Sequence, residues 1–452
     1  MLPGFLRALW GDLTKKELKK FALLSCAITI ILGNYWMLRV MKNPIFDDLV
    51  GMKFQPYAKM ASIAVVAVVI LIYSKLVDIF HKHTLFYIIC STYSALFFFL
   101  GFATSHPEMF ALSTSSPLYP LVQWIPGNFI GWLTYFVFES SSLLMILFWA
   151  FVASVTKAES AKKGYAMIVT CIQFGTIAGP AIVTKFAPKV GSPILVAFGG
   201  VLVLIVPFFI KLYMKHFPAE EVAEDKSKGP KEKTGFFEGI RLIVTKPYVI
   251  GIFVVSTIYE IIATILEFQM NMIAKDVFPT RDLFAAFTGK YGMSINTLTL
   301  TFALLGTSFF MRKLGLRVCL ISYPIAIGVV LLGLLGINYV GATHIQLMWA
   351  LFGSMIAVKG LSYALNNPTK EVMYIPTTKD IKFKAKGWIE SFGGRMSKGT
   401  GSGVTASFAN NLSGLLLFGT LISLGVVGFW IFVANILGKK FNKLQETNTT
   451  IK

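Results

Sequence analysis

The sequence predicts an all-α membrane protein with twelve transmembrane helices in two six-helix pseudo-repeats. Three observations carry that reading: the composition, the number of apolar runs of spanning length, and the uneven division of basic residues between successive loops. Of 452 residues, 55% are hydrophobic and 14% charged, whereas soluble domains carry about 25% charged residues. Mean hydropathy is +0.68. This composition excludes a soluble enzyme, a disordered chain and a disulfide scaffold. The formal net charge is +20. In a soluble chain that excess would suggest nucleic acid. In a membrane chain it points to basic cytoplasmic loops and an anionic substrate, with the bilayer as partner and no nucleic acid.

A helix needs about 20 largely apolar residues to cross about 30 Å of hydrocarbon. Twelve runs qualify: 21–41, 58–79, 84–104, 128–155, 164–187, 192–213, 247–273, 293–311, 317–338, 344–366, 387–408 and 413–437. The first is too long for a signal peptide, and Asn34, Arg39 and Lys42 interrupt its apolar centre. The second and third are divided by the short basic loop 75–83, and the eighth and ninth by its counterpart 312–317. The fourth contains Glu139 followed by three serines, and the seventh contains Glu260 and Glu267. The eleventh is the least apolar, because Glu390, Arg395 and Lys398 fall within it. Cys26, Cys90, Cys171 and Cys319 each lie in a separate apolar run, so they read as small buried hydrophobes rather than metal ligands or disulfides.

Loop charges set the orientation. With both termini cytoplasmic, thirty of the 42 basic residues fall on the inner side. Seven fall outside (Lys53, Lys59, Lys185, Lys189, Lys275, Arg281, Lys290), and five lie within spans. That bias fits a twelve-span membrane protein with both termini cytoplasmic. Residues 216–246 are polar and contain Pro218, Gly229 and Pro230, so they read as a cytoplasmic linker between halves 1–215 and 247–452. A 6+6 chain with a basic central loop is the layout of major-facilitator-like carriers.

Ionisable groups inside spans are costly and mark cavities or partners. Tyr35, Arg39 and Lys42 stand at i, i+4 and i+7, on one helix face. Two cations on an inward face make an anion site. The plainer reading for Lys42 is a side chain snorkelling to the outer interface. Glu139 reads as a counter-ion for Arg39 or Lys42. Glu260 and Glu267 are two turns apart, and each reads as a titrating carboxylate or as the partner of a basic residue in the second half. Phe138, Tyr35 and Tyr259 are candidates for stacking on a base. After the tenth span, Pro368 and Pro376 are expected to break the helix. The lysines around them, with Arg395 and Lys398, then crowd into about thirty residues. Gly399, Gly401 and Gly403 follow Lys398 rather than precede it, and no strand leads into them, so a P-loop fails and close helix packing explains them. No HExxH motif, Ser-His-Asp set or strand-linked GxGxxG is present, so the expectation is a carrier rather than an enzyme, with no cofactor and no metal.

The stretch NPTKEVMYIP (367–376) resembles the DPTKEMAYIPL signature of the ATP:ADP antiporter (Tlc-type) family, nucleotide transporters of obligate intracellular bacteria and plastids. The family's KxKGKAAIDxxGSRxGKSGGS is similar to KFKAKGWIESFGGRMSKGTGS (382–402), with Lys382, Lys384, Lys386, Arg395 and Lys398 matching. NYxxLRxxKD resembles NYWMLRVMKN (34–43); Glu139 with Phe148 and Trp149 matches AELW…LLFW, and Glu267 matches the acid of NLVE. Asn43, Asn271, Ser362 and Asn367 stand where the family usually has aspartate, lysine, lysine and aspartate. The resemblance implies a twelve-helix carrier, monomeric, that exchanges ATP for ADP or imports related nucleotides by alternating access, with phosphate or a proton as possible co-substrate. Tyr35, Arg39, Lys42, Glu139, Glu267, Lys359, Lys386, Arg395 and Lys398 are the expected substrate-binding residues. A proton-coupled nucleotide symporter, a carrier of another phosphorylated metabolite or dinucleotide, and a non-transporting scaffold are the rival readings.

Overall fold

The computed structural model describes residues 13–111, 123–156, 158–217, 236–305, 308–378 and 380–451. Helix α1 (Lys15–Leu49) opens on a capping box: Glu17 N–H donates to the Thr14 hydroxyl, and the Glu17 carboxylate accepts from the Thr14 backbone. Then come α2 (Gln55–Ile79) and α3 (Lys82–Ser105). The fourth expected span is two helices, α4 (Phe129–Ser140) and α5 (Leu143–Val155), parted just after Glu139. α6 (Ala158–Val190) and α7 (Ser192–His216) complete the first set. A short helix, α8 (Phe236–Thr245), lies at the end of the stretch read as linker; 218–235 lie outside the described residues, as does the outer segment 112–122.

The seventh span is likewise double, α9 (Pro247–Thr257) and α10 (Tyr259–Val277). It is followed by α11 (Arg281–Leu305), α12 (Ser308–Tyr339, kinked at Gly315 with φ 75°) and α13 (His344–Leu361). α13 begins with a second capping box, Thr343 and Gln346. A π-helical turn (Ser362–Asn366) carries α13 into α14 (Asn367–Met373). Pro368 therefore does not end the helix as expected: the wider turn before it relieves the lost i→i−4 bond. The chain turns at Tyr374–Pro376, then resumes through π-helical turns into α15 (Gly394–Ser407) and α16 (Thr420–Glu446).

Among the described residues, ten helical stretches are long and apolar enough to cross a bilayer. Of the two further spans expected from sequence, 387–408 overlaps the polar helix α15, while 293–311 covers the end of α11, residues 306–307 outside the described residues and the start of α12; neither is among the ten. α11 also starts earlier than expected, at Arg281. Arg281, counted with the outer loop, and its neighbour Asp282 are accommodated by partners: Arg281 pairs with Asp48 at 3.0 Å, and Asp282 accepts from the Ser192 backbone at 2.7 Å.

The chain forms two compact units. The first comprises the chain to Ala58, Ala64 to the linker, and Phe278–Thr297; the second comprises Lys59–Ile63, the linker to Val277, and Leu298 onward. In the first, α1 packs on α6 and α3 on α7. In the second, α10 packs on α15 and α12 on α16. In expected-span order these are one with five, three with six, seven with eleven, and nine with twelve, so the same pairing recurs in each unit. Close approach of α1 and α6 requires glycine. A Cβ on Gly179 would sit 2.1 Å from the Gly33 carbonyl oxygen, and one on Gly175 would sit 2.4 Å from that of Thr29. In the second unit, Tyr323 and Trp430 meet edge to face at 5.1 Å.

The outer faces are apolar: Leu71, Phe208, Val329 and Phe432 are each more than 60% exposed, as the lipid-facing side of a bundle requires. For the same reason the cysteines are not uniformly buried. Cys90 and Cys319 are, but Cys26 is exposed and Cys171 partly so. In a membrane chain an apolar run does not distinguish the core from the lipid face.

Candidate substrate site

In the first unit, α1 places Tyr35, Arg39 and Lys42 along one face. Arg39 donates to the Tyr35 hydroxyl at 3.1 Å, and its guanidinium lies over the Trp36 ring at 4.9 Å. Lys42 does not snorkel. Its ammonium forms an ion pair with Glu139 of α4 and lies 4.4 Å from the centre of the Tyr135 ring, with the side chain 12% exposed. Tyr135 is itself fixed, since its hydroxyl accepts from Gln55. The serines after Glu139 add no polar lining: Ser141 and Ser142 donate back to the helix carbonyls of Phe138 and Glu139, and Ser140 is taken up by Tyr93. Phe138 is core, buried against Phe97.

In the second unit, α10 carries two carboxylates with different partners. Glu267 pairs with Lys59 at 3.4 Å. Lys59, expected in the outer loop, lies in the second turn of α2, 14% exposed. Glu260 is 12% exposed and faces two of the expected cations, Lys359 at 3.7 Å and Lys398 at 3.8 Å. The Tyr259 hydroxyl donates to it at 2.6 Å. Lys359 and Lys370 each lie 5.4 Å from the Tyr259 ring centre, so Tyr259 supports cations rather than presenting an open stacking face. Arg395 is partly buried, and among the described residues its guanidinium has no carboxylate within ion-pair distance.

A cavity of about 620 Å³ opens beside this cluster, lined by Tyr259, Glu260, Tyr363, Lys370, Tyr374 and Glu390 among others. Burial pulls the Lys370 ammonium below the ordinary lysine range, against the attraction of Glu260, Glu390 and Glu371. Lys386 is placed differently from the other expected residues. It donates to Glu371 at 2.6 Å and forms a looser ion pair with Glu390 at 3.7 Å, both 61% exposed. Burial would lower its pKa, but the Glu371 bond outweighs this and the net shift is upward. The residues that sequence reasoning left out of the site are Glu260, Lys370 and Lys59. Glu260 stands out in the sequence as a charge within a span, but only the fold shows that it faces Lys359 and Lys398.

Among the described residues no three His, Cys, Asp or Glu side chains converge as a metal site would require. What converges is cation and carboxylate on polar-interrupted membrane helices, the make-up of a carrier for a charged solute. Solved structures of carriers share the fold. A bacterial homologue of the iron transporter ferroportin in its inward-facing state matches with a TM-score of 0.64 at 11% identity, over 93% of this chain and all of that one. The nucleoside transporter NupG matches with a TM-score of 0.62 at 13% identity, over 94% and 99%. The chain thus has the all-helical, multi-span fold of these carriers.

The family model described as the TLC ATP/ADP transporter matches residues 3–441, and the chain belongs to that family. Two relatives illustrate the distance: ADP,ATP carrier protein 1 of Rickettsia typhi is 24% identical over 98% of this chain and 97% of its own length. ADP,ATP carrier protein 1 of Chlamydia trachomatis is 24% identical over 97% and 92%.

Proposed function

We propose that this chain carries nucleotides across a bacterial inner membrane, exchanging ATP and ADP by alternating access. On this reading it is a twelve-span monomer with both termini in the cytoplasm, and the segments 1–215 and 247–452 are pseudo-repeated halves joined by a cytoplasmic linker. The observation that carries it is the α1 face, where Arg39 and Lys42 are both held within a membrane helix, Arg39 by Tyr35 and Trp36 and Lys42 by Glu139. Cations held inside a membrane helix are costly and mark a cavity or an anion partner. Phosphate oxygens suit a guanidinium that can donate in pairs.

Lys359, Arg395 and Lys398 supply further cations in the second unit, and Glu139 and Glu267 offset positive charge in the empty protein. Lys386 contributes from its surface pair, or serves only to hold Glu371. Family membership and the names of the relatives support the nucleotide as substrate.

The test is counter-exchange in proteoliposomes. ATP uptake is expected to require internal ADP or ATP and to be unaffected by an imposed pH gradient. Uptake into nucleotide-free vesicles driven by such a gradient would identify a proton-coupled symporter instead.

A further inference from the structure

Glu260 is the carboxylate that the second unit's cations share. Its two oxygens are divided: one lies 3.7 Å from Lys359, the other 3.8 Å from Lys398. The Tyr259 hydroxyl donates to the latter oxygen at 2.6 Å and fixes the rotamer. Lys370 approaches through the Tyr259 ring and also feels the Glu260 charge. Lys359 and Lys398 come from α13 and α15, so a single carboxylate on α10 ties together three helices of one unit. Neither lysine is within hydrogen-bonding distance of Glu260. The contacts are ion pairs loose enough for another anion to replace, and Glu260 itself lines a cavity of about 620 Å³ together with Lys370.

We infer that Glu260 is the internal counter-ion of this lysine pair and sets how many phosphate charges the second unit accepts. The inference rests on the nucleotide reading above. In the empty protein Glu260 holds Lys359 and Lys398 together. An arriving phosphate takes over the lysines while Glu260 stays, and each further phosphate charge meets its repulsion. Glu260 is therefore a positioning and selecting residue that limits the advantage of a triphosphate over a diphosphate and keeps the more highly charged ligand from being trapped.

The experiment measures ATP and ADP affinity on purified protein, together with exchange rates in proteoliposomes, for wild type, Glu260→Gln, Glu260→Asp and the double variant Glu260→Gln/Lys398→Gln. Glu260→Gln is expected to tighten ATP binding by about tenfold, equivalent to about 1.4 kcal/mol. ADP should gain less, and exchange should slow because release slows. Glu260→Asp keeps the charge and should hold the wild-type ATP-to-ADP affinity ratio. The double variant removes one charge of each sign and should return close to that ratio, which keeps the inference testable if Glu260→Gln does not fold. Nucleotide binding by wild type with an unchanged ratio in Glu260→Gln, or in its absence a shifted ratio in the double variant, would overturn the role of Glu260 and leave the nucleotide reading standing. Wild type that binds neither nucleotide overturns both.

Discussion

Lys359 and Glu260 join the tenth and seventh expected spans across 3.7 Å in the second unit, in the positions where Lys42 and Glu139 join the first and fourth spans in the first unit. The signs are exchanged: the first expected span of the first unit contributes the cation, and the seventh, in the second unit, contributes the anion. Each unit thus balances a lysine against a carboxylate three expected spans away in the same unit. That arrangement keeps the charges inside a bilayer while leaving both lysines close to anions that another anion can replace.

The Lys42–Glu139 pair should behave as a unit. Removing one partner of a largely buried pair strands the other and destabilises by about 3–5 kcal/mol in the worst case; with Glu139 30% exposed the loss should be smaller. Glu139→Gln and Lys42→Gln should each lower thermal stability in detergent. The double variant should recover most of it, as a double-mutant cycle would read. Uptake should stay low in Lys42→Gln and in the double variant. Wild-type uptake in Lys42→Gln would remove Lys42 from the site.

Arg39 should be the more sensitive cation. A hydrogen bond to a charged group contributes about 1.5–3 kcal/mol, so Arg39→Ala should weaken nucleotide affinity by about tenfold to a hundredfold. Arg39→Lys cannot reproduce a planar paired contact or stack as well on Trp36, and should retain partial uptake. Expression and Tm should change little in Arg39→Lys, which separates a substrate role from a folding role.

Lys59 and Lys53 make a matched comparison. Lys59 pairs with Glu267 and is 14% exposed, whereas Lys53 is exposed in the preceding turn. Lys59→Gln should lower exchange several-fold and Lys53→Gln should leave it unchanged. Equal, wild-type exchange in both would show that the Lys59–Glu267 pair is dispensable.

The helical membrane architecture was largely legible in the sequence because helix length and apolarity are written directly in the chain. The α1 face was legible too, since i, i+4 and i+7 spacing needs only helical geometry. What could not be read was which charges meet. Glu260 is nearly a hundred positions from Lys359 and further still from Lys398, and no local pattern fixes such a contact. Lys59 was misplaced because a charge near a span end reads as loop until its partner, Glu267, is located. Pro368 misled for a similar reason: a proline signals a break unless a π-helical turn absorbs it.

Glycine packing gives a prediction independent of substrate. Gly179→Ala would bring a methyl to 2.1 Å from the Gly33 carbonyl oxygen, which backbone cannot yield cheaply. Overpacking of this kind costs about 1–3 kcal/mol or more, so Gly179→Ala should lower Tm by several degrees. Gly403→Ala, which would meet nothing within 4 Å, should not.

The central claim is that the protein recognises the phosphates of a nucleotide through cations held inside its helices. The most direct measurement is competition against labelled ATP uptake by adenosine, AMP, ADP and ATP in proteoliposomes containing the purified wild-type chain. The account predicts that adenosine competes on the order of a hundredfold less well than ADP or ATP, since losing two charge-assisted contacts removes several kcal/mol. Adenosine competing as well as ATP would contradict it.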